Sequence, residues 1–508
     1  FMGNNRTTTG RPRPSNPLKL VRRVMAVISI LMVTLLFLDF TGLAARWFGW
    51  MTKIQFLPAL LALNVGVIVS LVVLTLVFGR IYCSVICPLG IMQDISAWLG
   101  LKRKRNRYSY SPAKSILRYV MLALMVVAVV AGISAVVTLL APYSAYGRIV
   151  WSLLSPIWQW GNNLLARWAE SRGSYDFYSV DVWLRSGLTL AVAVVTLAAL
   201  AVLSWRNGRT YCNTICPVGT VLGFLSRFSL LRPVIDTSKC NSCGLCARNC
   251  KASCIDNKNH VIDYSRCVAC MDCIGNCHQG AISYTRTRRS LARQSSGETD
   301  PSRRSFLSVV AMTATAAVAK AQEKTVDGGL ALIEDKVRPE RKTRIVPPGA
   351  LSLKNMAGHC TACQLCVASC PNEVLRPSSD IMTFMQPESS YERGYCRPEC
   401  TRCSDVCPSG AIRPITRAEK SSVQIGRAVW VKANCIPLTD GVACGNCARH
   451  CPTGAITMVA SVPGDDSSPK VPVVNTARCI GCGACENLCP ARPFSAIYVE
   501  GLECHCEI

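Results

Sequence analysis

The sequence predicts a membrane α-helical four-span bundle with an internal duplication, followed by small α+β modules. Three observations predict this fold class: four long apolar segments in the first 205 residues, a twelve-residue motif that occurs twice beside them, and 24 of the 31 cysteines in six short runs. The chain has 508 residues, 50% of them hydrophobic, and a mean hydropathy of +0.27. This composition is typical of a protein that is partly embedded in a bilayer.

Each apolar segment approaches or exceeds the ~20 residues that span the hydrocarbon of a bilayer. Lys19, Arg22 and Arg23 precede the first segment, and further basic residues follow the second and the fourth. By the positive-inside rule, the N-terminus, the loop 79–115 and the chain that directly follows residue 205 are cytoplasmic in a bacterial inner membrane. The loop 141–186 is periplasmic. The predicted spans lie near Val24–Ala45, Phe56–Phe78, Ile116–Leu140 and Leu188–Trp205.

The net charge of +26 does not indicate a nucleic-acid partner. Many of the basic residues flank apolar segments, and the basic runs lack the interleaved aromatic residues of a nucleic-acid groove. We therefore expect membrane lipid, and no nucleic acid, among the partners.

The cysteine runs follow the pattern of bacterial two-cluster ferredoxins. The first two runs are spaced C-x2-C-x2-C-x3-C, and in such pairs the fourth cysteine of each run ligates the other cluster. Zinc sites rarely use this three-plus-one spacing, and disulfide scaffolds are typical of short secreted chains. The sequence therefore predicts bacterial-type two-cluster ferredoxin modules with six [4Fe-4S] clusters in total.

Crossing the fourth cysteines within each pair of runs gives six complete ligand sets. Lys251 and His278 replace the proline that follows the fourth cysteine elsewhere, and the spacings 396–400 and 435–444 are longer than usual. From the first cluster to the sixth, the predicted sets are Cys240, Cys243, Cys246 and Cys277; Cys267, Cys270, Cys273 and Cys250; Cys360, Cys363, Cys366 and Cys407; Cys396, Cys400, Cys403 and Cys370; Cys435, Cys444, Cys447 and Cys489; and Cys479, Cys482, Cys485 and Cys451.

The motif G-R-x-Y-C-x-x-I-C-P-x-G occurs at 79–90 and again at 208–219. Each copy follows a hairpin of two predicted spans, which indicates a parallel duplication about an axis along the membrane normal. The symmetry brings together four cysteines that hold a seventh metal or cluster, or form two redox-active pairs. The alternative is a structural loop with buried free thiols, or a partner-docking element. The four cysteines are Cys83, Cys87, Cys212 and Cys216.

Asp39 is the one acid inside the first predicted span, toward its periplasmic end. Because an acid at membrane depth is costly, Asp39 is a candidate proton acceptor for a quinol, and the alternative is an acid that reaches interfacial water. The loop 141–186 is rich in Trp and Tyr, which suits a quinol pocket or an interfacial aromatic belt. None of the five histidines lies in a predicted span, so we expect no haem there.

Residues 302–307 read S-R-R-S-F-L and precede a weakly apolar stretch that ends in Ala319-Lys320-Ala321. This combination is typical of a twin-arginine export signal, and the alternative is the basic start of a surface helix. The predicted domains are a membrane domain over 1–235, a cytoplasmic two-cluster module over 236–286, a linker with a signal or fifth span over 287–324, and a periplasmic four-cluster domain over 325–508.

Residues 1–290 resemble the membrane subunit of the quinol dehydrogenase that serves periplasmic nitrate reductases, in their four apolar segments, two Cys-x3-Cys-Pro motifs and following ferredoxin module. Residues 300–508 resemble its partner subunit, a twin-arginine-exported protein with four [4Fe-4S] clusters. Related nitrous-oxide-reductase regulators and a copper reductase of cytochrome-oxidase assembly share the Cys-Pro motifs. The resemblance implies a fusion of two subunits that oxidises quinol and delivers electrons to a periplasmic reductase or carrier.

Two other functions fit the sequence. In one, a cytoplasmic donor reduces the first ferredoxin module, and electrons cross outward through the Cys-Pro site. In the other, the chain reduces metal or thiols during assembly of a periplasmic metalloenzyme. Cys254, Cys504 and Cys506 fall outside the predicted ligand sets and have no role in any of the three functions.

We expect residues 325–508 to depend on the twin-arginine pair for export. Changing Arg303 and Arg304 together to lysine should retain this domain in the cytoplasm, because the signal is read through both arginines. Cell fractionation measures the outcome, with lysine at Arg288 and Arg289, the other arginine pair of the linker, as the matched control. Export of the first variant would exclude the signal.

Overall fold

The computed structural model describes residues 17–39, 41–103, 108–174, 177–180, 182, 186–286, 335–465 and 467–508. A helical part extends to about residue 228, a first α+β module follows, and residues 335–508 form a second α+β part. The predicted export signal, with Arg303 and Arg304, lies outside the described residues.

Two helices among the described residues are long and apolar enough to cross a membrane, Pro17–Leu38 and Gly187–Asn207. Their 22 and 21 residues correspond to about 32 Å of helix, close to the ~30 Å thickness of bilayer hydrocarbon. They coincide with the fourth predicted span and with most of the first, which begins and ends several residues earlier than expected.

The second predicted span is interrupted. It consists of the helices Phe56–Leu61 and Val65–Phe78, which are separated by a turn in which Leu63 has a φ of 51°. The side chain of Asn64 accepts a hydrogen bond from the backbone N–H of Val67 and so begins the second helix. The 14-residue helix reaches only about 21 Å, less than the hydrocarbon thickness.

The third predicted span is interrupted in the same way. Ser115–Val130 is followed by Ser134–Leu140, with Gly132 at a φ of 71° between them. The first of these helices has 16 residues, or about 24 Å. At the four predicted spans the described residues thus form two long helices and two interrupted ones. Hydropathy did not distinguish them because both sides of each break are apolar.

Short helices complete the helical part. They connect the long helices and carry both copies of the repeated motif. Besides those named above, its elements are the helices Leu43–Phe48, Trp50–Lys53, Tyr82–Val85, Pro88–Arg103, Pro142–Ile149, Ser155–Glu170, Thr210–Thr214 and Pro217–Leu225, the π-helix Val150–Leu154 and the 3-10 helix Ser226–Phe228.

The first α+β module has the pseudo-twofold arrangement of a two-cluster ferredoxin. Its terminal strands, Leu231–Ile235 and Ile282–Arg286, pair antiparallel, and so do Ile255–Asp256 and Val261–Ile262 between them. A one-turn helix lies inside each cysteine run, at Leu245–Arg248 and Asp272–Gly275.

The second α+β part contains this plan in full over 423–507 and the inner strand pair of another copy at 375–389. Its strand pairs are antiparallel, and the longest pair joins Val423–Trp430 to Ile497–Glu507. The remaining strands are Leu375–Pro377, Pro387–Ser389, Ile456–Ala460 and Lys470–Val474. The helices are Leu353–His359, Leu365–Ala368, Arg402–Asp405, Arg417–Ser422, Ile436–Thr439, Asn446–Arg449 and Ala484–Asn487, with the 3-10 helix Lys432–Asn434.

The two α+β parts contact opposite ends of the helix Pro17–Leu38. At its beginning, Lys19 forms an ion pair of 2.8 Å with Asp272 of the first module. Just beyond its other end, the backbone oxygen of Thr41 accepts a hydrogen bond of 2.9 Å from Arg402 of the second part. The intervening helix is about 33 Å long, so the helical part separates the two α+β parts.

A buried carboxylate joins the helical part to the first module. Asp94 accepts a hydrogen bond of 2.9 Å from Arg209 Nε and forms an ion pair with Arg209 Nη2 at 2.8 Å. It also contacts Arg22 at 3.1 Å and Lys251 at 3.5 Å. Lys251 also contacts Asp272 at 3.2 Å. The lysine that replaces the usual proline therefore bridges the two parts.

We expect the change of Asp94 to Asn to lower the free energy of unfolding by about 3–5 kcal/mol, because it leaves buried cations without a counter-charge. Burial alone would raise the pKa of Asp94, but Arg209, Lys251 and Arg22 lower it below the ordinary value of 3.8. The stabilisation is therefore present above pH ~4 and lost only at lower pH.

Thermal unfolding in detergent tests this expectation. Asp465→Asn is the control, because Asp465 is exposed and bonds only to its own loop. Equal unfolding temperatures for both variants would contradict the role of Asp94.

Candidate functional site

The four cysteines of the repeated motif lie in one buried hydrophobic core. Each of Cys83, Cys87, Cys212 and Cys216 is only 4% exposed. In both copies, a short helix carries the first cysteine, and a longer helix begins at the proline after the second. We call this set the Cys-Pro quartet.

Two arginines cross between the copies of the motif. The side chain of Arg80 donates a hydrogen bond of 3.2 Å to the backbone oxygen of Cys212, and Arg209 donates one of 2.6 Å to the oxygen of Cys83. Both arginines are fully buried. The arginine of each copy therefore fixes the backbone at the first cysteine of the other copy. This contact explains why the motif contains an arginine.

The final glycine of each motif copy lies directly beside the cysteine oxygen of the same copy, which accepts the hydrogen bond from the crossing arginine. A Cβ atom on Gly90 would lie 2.2 Å from the oxygen of Cys83, and one on Gly219 would lie 2.1 Å from the oxygen of Cys212. Any side chain at these positions would displace the backbone that presents the first cysteines, so only glycine fits.

Donors around the quartet point at sulfur atoms. Arg80 Nη2 lies 3.8 Å from the Sγ of Cys83, Gln93 Nε2 lies 3.3 Å from the Sγ of Cys212, and the N–H of Gly219 donates to Cys216 at 3.4 Å. Hydrogen bonds to ligand sulfurs and nearby positive charge favour thiolates and tune a bound cluster. The ligand sulfurs of a metal or iron–sulfur cluster would accept such hydrogen bonds, and buried free thiols accept them as well.

The first module encloses two cavities walled by cysteine runs. One has about 410 Å³ of empty space and is lined by Cys240, Cys243 and Cys246 together with Cys277. The other has about 420 Å³ and is lined by Cys267, Cys270 and Cys273 together with Cys250. Each cavity joins three thiols of one run to the fourth of the other, as a pair of cubanes requires.

In the second α+β part, the electrostatic neighbours of the thiols group in the same crossed way. Cys360 interacts with Cys363 and Cys407, Cys396 with Cys370 and Cys400, Cys447 with Cys444 and Cys489, and Cys482 with Cys479 and Cys451. Burial raises the pKa of Cys363 and of Cys482 to about 12. Thiolates at such positions need the positive charge of a bound metal cluster.

One hydrogen bond and the electrostatic neighbours of two further thiols place these four groups in a series. Cys366 of the third predicted set interacts with Cys403 of the fourth. The backbone N–H of Cys396 in the fourth set donates to the oxygen of Cys482 in the sixth at 2.9 Å. Cys485 of the sixth set interacts with Cys447 of the fifth. The spatial order is therefore third, fourth, sixth and fifth.

The third set lies against the helical part. A Cβ atom on Gly147 would come within 2.4 Å of the backbone oxygen of Cys363, so these two segments of the chain are in close contact. Tyr143 lies in the same hydrophobic core as Cys363, Cys366 and the Cys-Pro quartet. The third set is thus the part of the series nearest to the helices.

A cleft opens where the two parts meet. It has a volume of about 360 Å³, and its helical side carries Asp39, Arg46 and Leu36. Its other side carries Leu365 and Ser369, which are the neighbours of Cys366 and Cys370 in the sequence, together with Val406, Arg402 and Asp405. The size and the mixed lining suit a small organic ligand.

Asp39 lies at the end of the first long helix and has a structural task. Its carboxylate accepts hydrogen bonds from the backbone of Thr41, Gly42 and Ala44 and from the Thr41 hydroxyl, at 2.6–3.0 Å. These bonds begin the next helix, Leu43–Phe48. The carboxylate nevertheless remains in the lining of the cleft.

The aromatic loop has two different halves. Tyr143 and Tyr146 are buried, whereas Trp158, Trp160 and Trp168 are 49–66% exposed on the helix Ser155–Glu170. None of these five residues belongs to the lining of the cleft. The exposed half has the amphipathic character of a segment at a membrane surface.

Sequence reasoning missed several residues that build these sites. Asp94 and Gln93 lie beyond the repeated motif, and their counterparts in the second copy are Gly223 and Leu222. The repeated arginines could have indicated a buried acidic or polar partner, because an arginine that occurs in both copies beside apolar segments must be paired when it is buried.

Family models for iron–sulfur proteins match four stretches of the chain. A model described as a 4Fe-4S binding domain matches residues 60–107 and 189–235, which contain the two halves of the Cys-Pro quartet. Models described as 4Fe-4S dicluster domains match residues 359–412 and 442–492. No solved structure matches the chain significantly.

Ferredoxin-type proteins of two kinds are similar to the chain. The protein MauM of methylamine utilization from Methylorubrum extorquens is 33% identical over 185 residues, 34% of this chain and 80% of the relative. The ferredoxin-type protein NapG of Escherichia coli is 30% identical over 179 residues, 32% of this chain and 75% of the relative. NapH of Escherichia coli is 28% identical over 195 residues, 38% of this chain and 55% of the relative.

The sites and the relatives agree on iron–sulfur electron transfer. The chain belongs to the ferredoxin-type 4Fe-4S proteins that include NapG and MauM, and it has the organisation of a NapG-like and a NapH-like protein fused in one polypeptide.

Proposed function

We propose that the chain is a membrane-bound quinol dehydrogenase that passes electrons through its C-terminal clusters to a periplasmic reductase or electron carrier. The observation that carries this proposal is the cleft between the helical part and the C-terminal part. One wall is the end of an apolar helix with Asp39, and the other holds Leu365 and Ser369, adjacent in sequence to Cys366 and Cys370. A quinol there reaches both the bilayer and the third and fourth ligand sets.

Different residues of the cleft bind the quinol and accept its proton. Leu36 and Val406 offer apolar contact to a ring, and Arg46 and Arg402 offer hydrogen bonds to its oxygens. Asp39 accepts a proton from the quinol by giving up one of its four local hydrogen bonds. Cys360, Cys363, Cys366 and Cys407 would hold the cluster that takes the two electrons of the quinol one at a time, and the further sets would pass them on in the order fourth, sixth and fifth.

The proposed cofactors are six [4Fe-4S] clusters in the crossed sets, a seventh metal or cluster in the Cys-Pro quartet, and quinone. When bound, a cluster accepts or gives up one electron at a time. The chain holds each cluster by four thiols and surrounds it with apolar walls and backbone N–H donors, such as that of Ala455, 3.2 Å from the Sγ of Cys451. Such surroundings lower solvent access and tune the potential.

The proposed location is the bacterial inner membrane. In this proposal the helical part forms four spans, two of them interrupted, with the first module cytoplasmic and the C-terminal domain periplasmic. The contacts of Lys19 and Thr41 with different α+β parts support this topology, because about 33 Å of apolar helix lies between them.

A second candidate function is an electron wire from a cytoplasmic donor to the periplasm. One buried core contains the quartet and Tyr143, extends to Val268 and Cys270 at the first module, and reaches Cys363 at the third set. This continuous core favours a route for electrons through the membrane. It also explains the presence of the first module, which quinol oxidation alone does not require.

We expect about 24 iron atoms per chain, or about 28 if the quartet holds a cluster, at four irons per cubane. Serine at any one of Cys83, Cys87, Cys212 and Cys216 should impair electron transfer and leave the six ferredoxin clusters loaded. Iron and acid-labile sulfide analysis with EPR of the reduced protein measures both. A wild-type value near eight, or zinc instead of iron, would contradict the six clusters, and normal transfer in all four variants would make the quartet structural.

We expect a quinol analogue to reduce the clusters of the purified protein. Asp39→Asn should slow this step by removing a proton acceptor, and Ala45→Trp should slow it by filling the cleft, because Ala45 belongs to its lining. Leu164→Trp is the control, since Leu164 is exposed on another helix. Absorbance bleaching on quinol addition measures the rate, and dithionite reduction shows that the clusters of each variant are intact.

The same assay separates the two candidates. If quinol leaves the clusters oxidised while a low-potential donor reduces the first module and then the C-terminal clusters, the electron wire is the function. Asp39 is then only a helix-capping acid.

A further inference from the structure

Five thiols, not four, line the cavity of the second predicted cluster. Besides Cys250, Cys267, Cys270 and Cys273, the wall contains Cys254. Cys254 is 1% exposed, and its Sγ lies 3.6 Å from the Sγ of Cys250. Its thiol also interacts with that of Cys267. A cubane in this cavity therefore has one more thiol within reach than it has irons to ligate.

The position of Cys254 is filled by alanine in three of the five other cysteine runs, and by valine or proline in the remaining two. Four residues after Cys277 stands Ala281, whose backbone N–H donates to the Sγ of Cys277 at 3.3 Å. Four residues after Cys451 stands Ala455, with the same bond at 3.2 Å. Ala281 lines the cavity of the first cluster, as Cys254 lines that of the second. The turn thus directs this side chain at the cluster, and only in the second set does it carry sulfur.

From this geometry we infer that Cys254 is an alternative ligand of the second cluster and can take the place of Cys250. The inference rests on the proposed function, because it assumes the second [4Fe-4S] cluster. A rotation about one side-chain torsion suffices to exchange sulfur atoms that are neighbours. The iron–sulfur bond to Cys250 breaks, the bond to Cys254 forms, and the proton of the Cys254 thiol moves to the sulfur of Cys250. No electron is gained or lost, and no further reactant is needed.

The exchange has a structural consequence. Cys250 directly precedes Lys251, which contacts Asp94 and Asp272 where the first module meets the helices. Cys254 lies in the same core of the module as Cys250, but it directly precedes the strand Ile255–Asp256. The two ligands thus tie the second cluster either to the contact with the helical part or to this strand.

Iron content tests the inference in the full-length protein. Cys250→Ala should keep the iron content of the wild type, because Cys254 completes the set. Cys277→Ala is the matched control, because Ala281 offers no replacement thiol, and it should lose about four irons, the content of one cubane. Cys254→Ala alone should keep its iron, and Cys250→Ala with Cys254→Ala should lose about four.

EPR of the reduced variants gives a second readout. The signal of the second cluster should persist in Cys250→Ala with altered g-values, and it should vanish in the double variant. Loss of about four irons in Cys250→Ala, as in Cys277→Ala, would overturn the inference, and so would a double variant that keeps its iron. A wild type without about 24 irons would instead contradict the proposed function, and the unchanged signals of the C-terminal clusters show that a variant has folded.

Discussion

The ion cluster around Asp94 is the interaction on which the central part of the structure depends. Arg209 is fully buried, and Asp94 neutralises it through one hydrogen bond and one ion-pair contact. Asp94 also contacts Arg22 of the first long helix and Lys251 of the first ferredoxin module. Since Arg209 in turn holds the backbone oxygen of Cys83, the same carboxylate fixes the first module, the long helix and the Cys-Pro quartet relative to one another. A buried ion group of this kind specifies an arrangement more than it stabilises one.

The duplication is symmetric in its cysteines and asymmetric in its charges. Arg80, the counterpart of Arg209, has no aspartate opposite it, because the position that corresponds to Asp94 is Gly223. Arg80 bonds instead to the side-chain oxygen of Asn213 and to the backbone oxygen of Ser265, so its positive charge is less compensated and lies near Cys83 and Cys212. The two halves of the quartet therefore lie in different electrostatic surroundings, although their cysteines are related by the repeat.

The sequence predicted what depends on local spacing and not what depends on tertiary contacts. Cysteine spacing led to crossed sets, and the cavities of the first module join Cys277 and Cys250 to the opposite runs. The repeated motif led to a quartet whose members share one buried core. The helix breaks at Leu63 and Gly132 were missed because hydropathy averages over them. Asp94 was missed because its partners are 72 and 115 residues away, and Lys251 looked like a defect of the ferredoxin pattern because its two partners come from different parts of the chain.

The third ligand set is the junction of both candidate routes. The cleft borders it through Leu365, and the buried core that contains the quartet reaches it through Cys363. Electrons from a quinol and electrons from the first module would therefore enter the same cluster and leave by the same series of fourth, sixth and fifth sets. The two proposals differ only in the route by which electrons reach Cys363. In both of them the C-terminal part accepts electrons at the same ligand set. A fusion of the two subunits suits such a junction, because a single chain keeps the contact between Gly147 and Cys363 at high effective concentration.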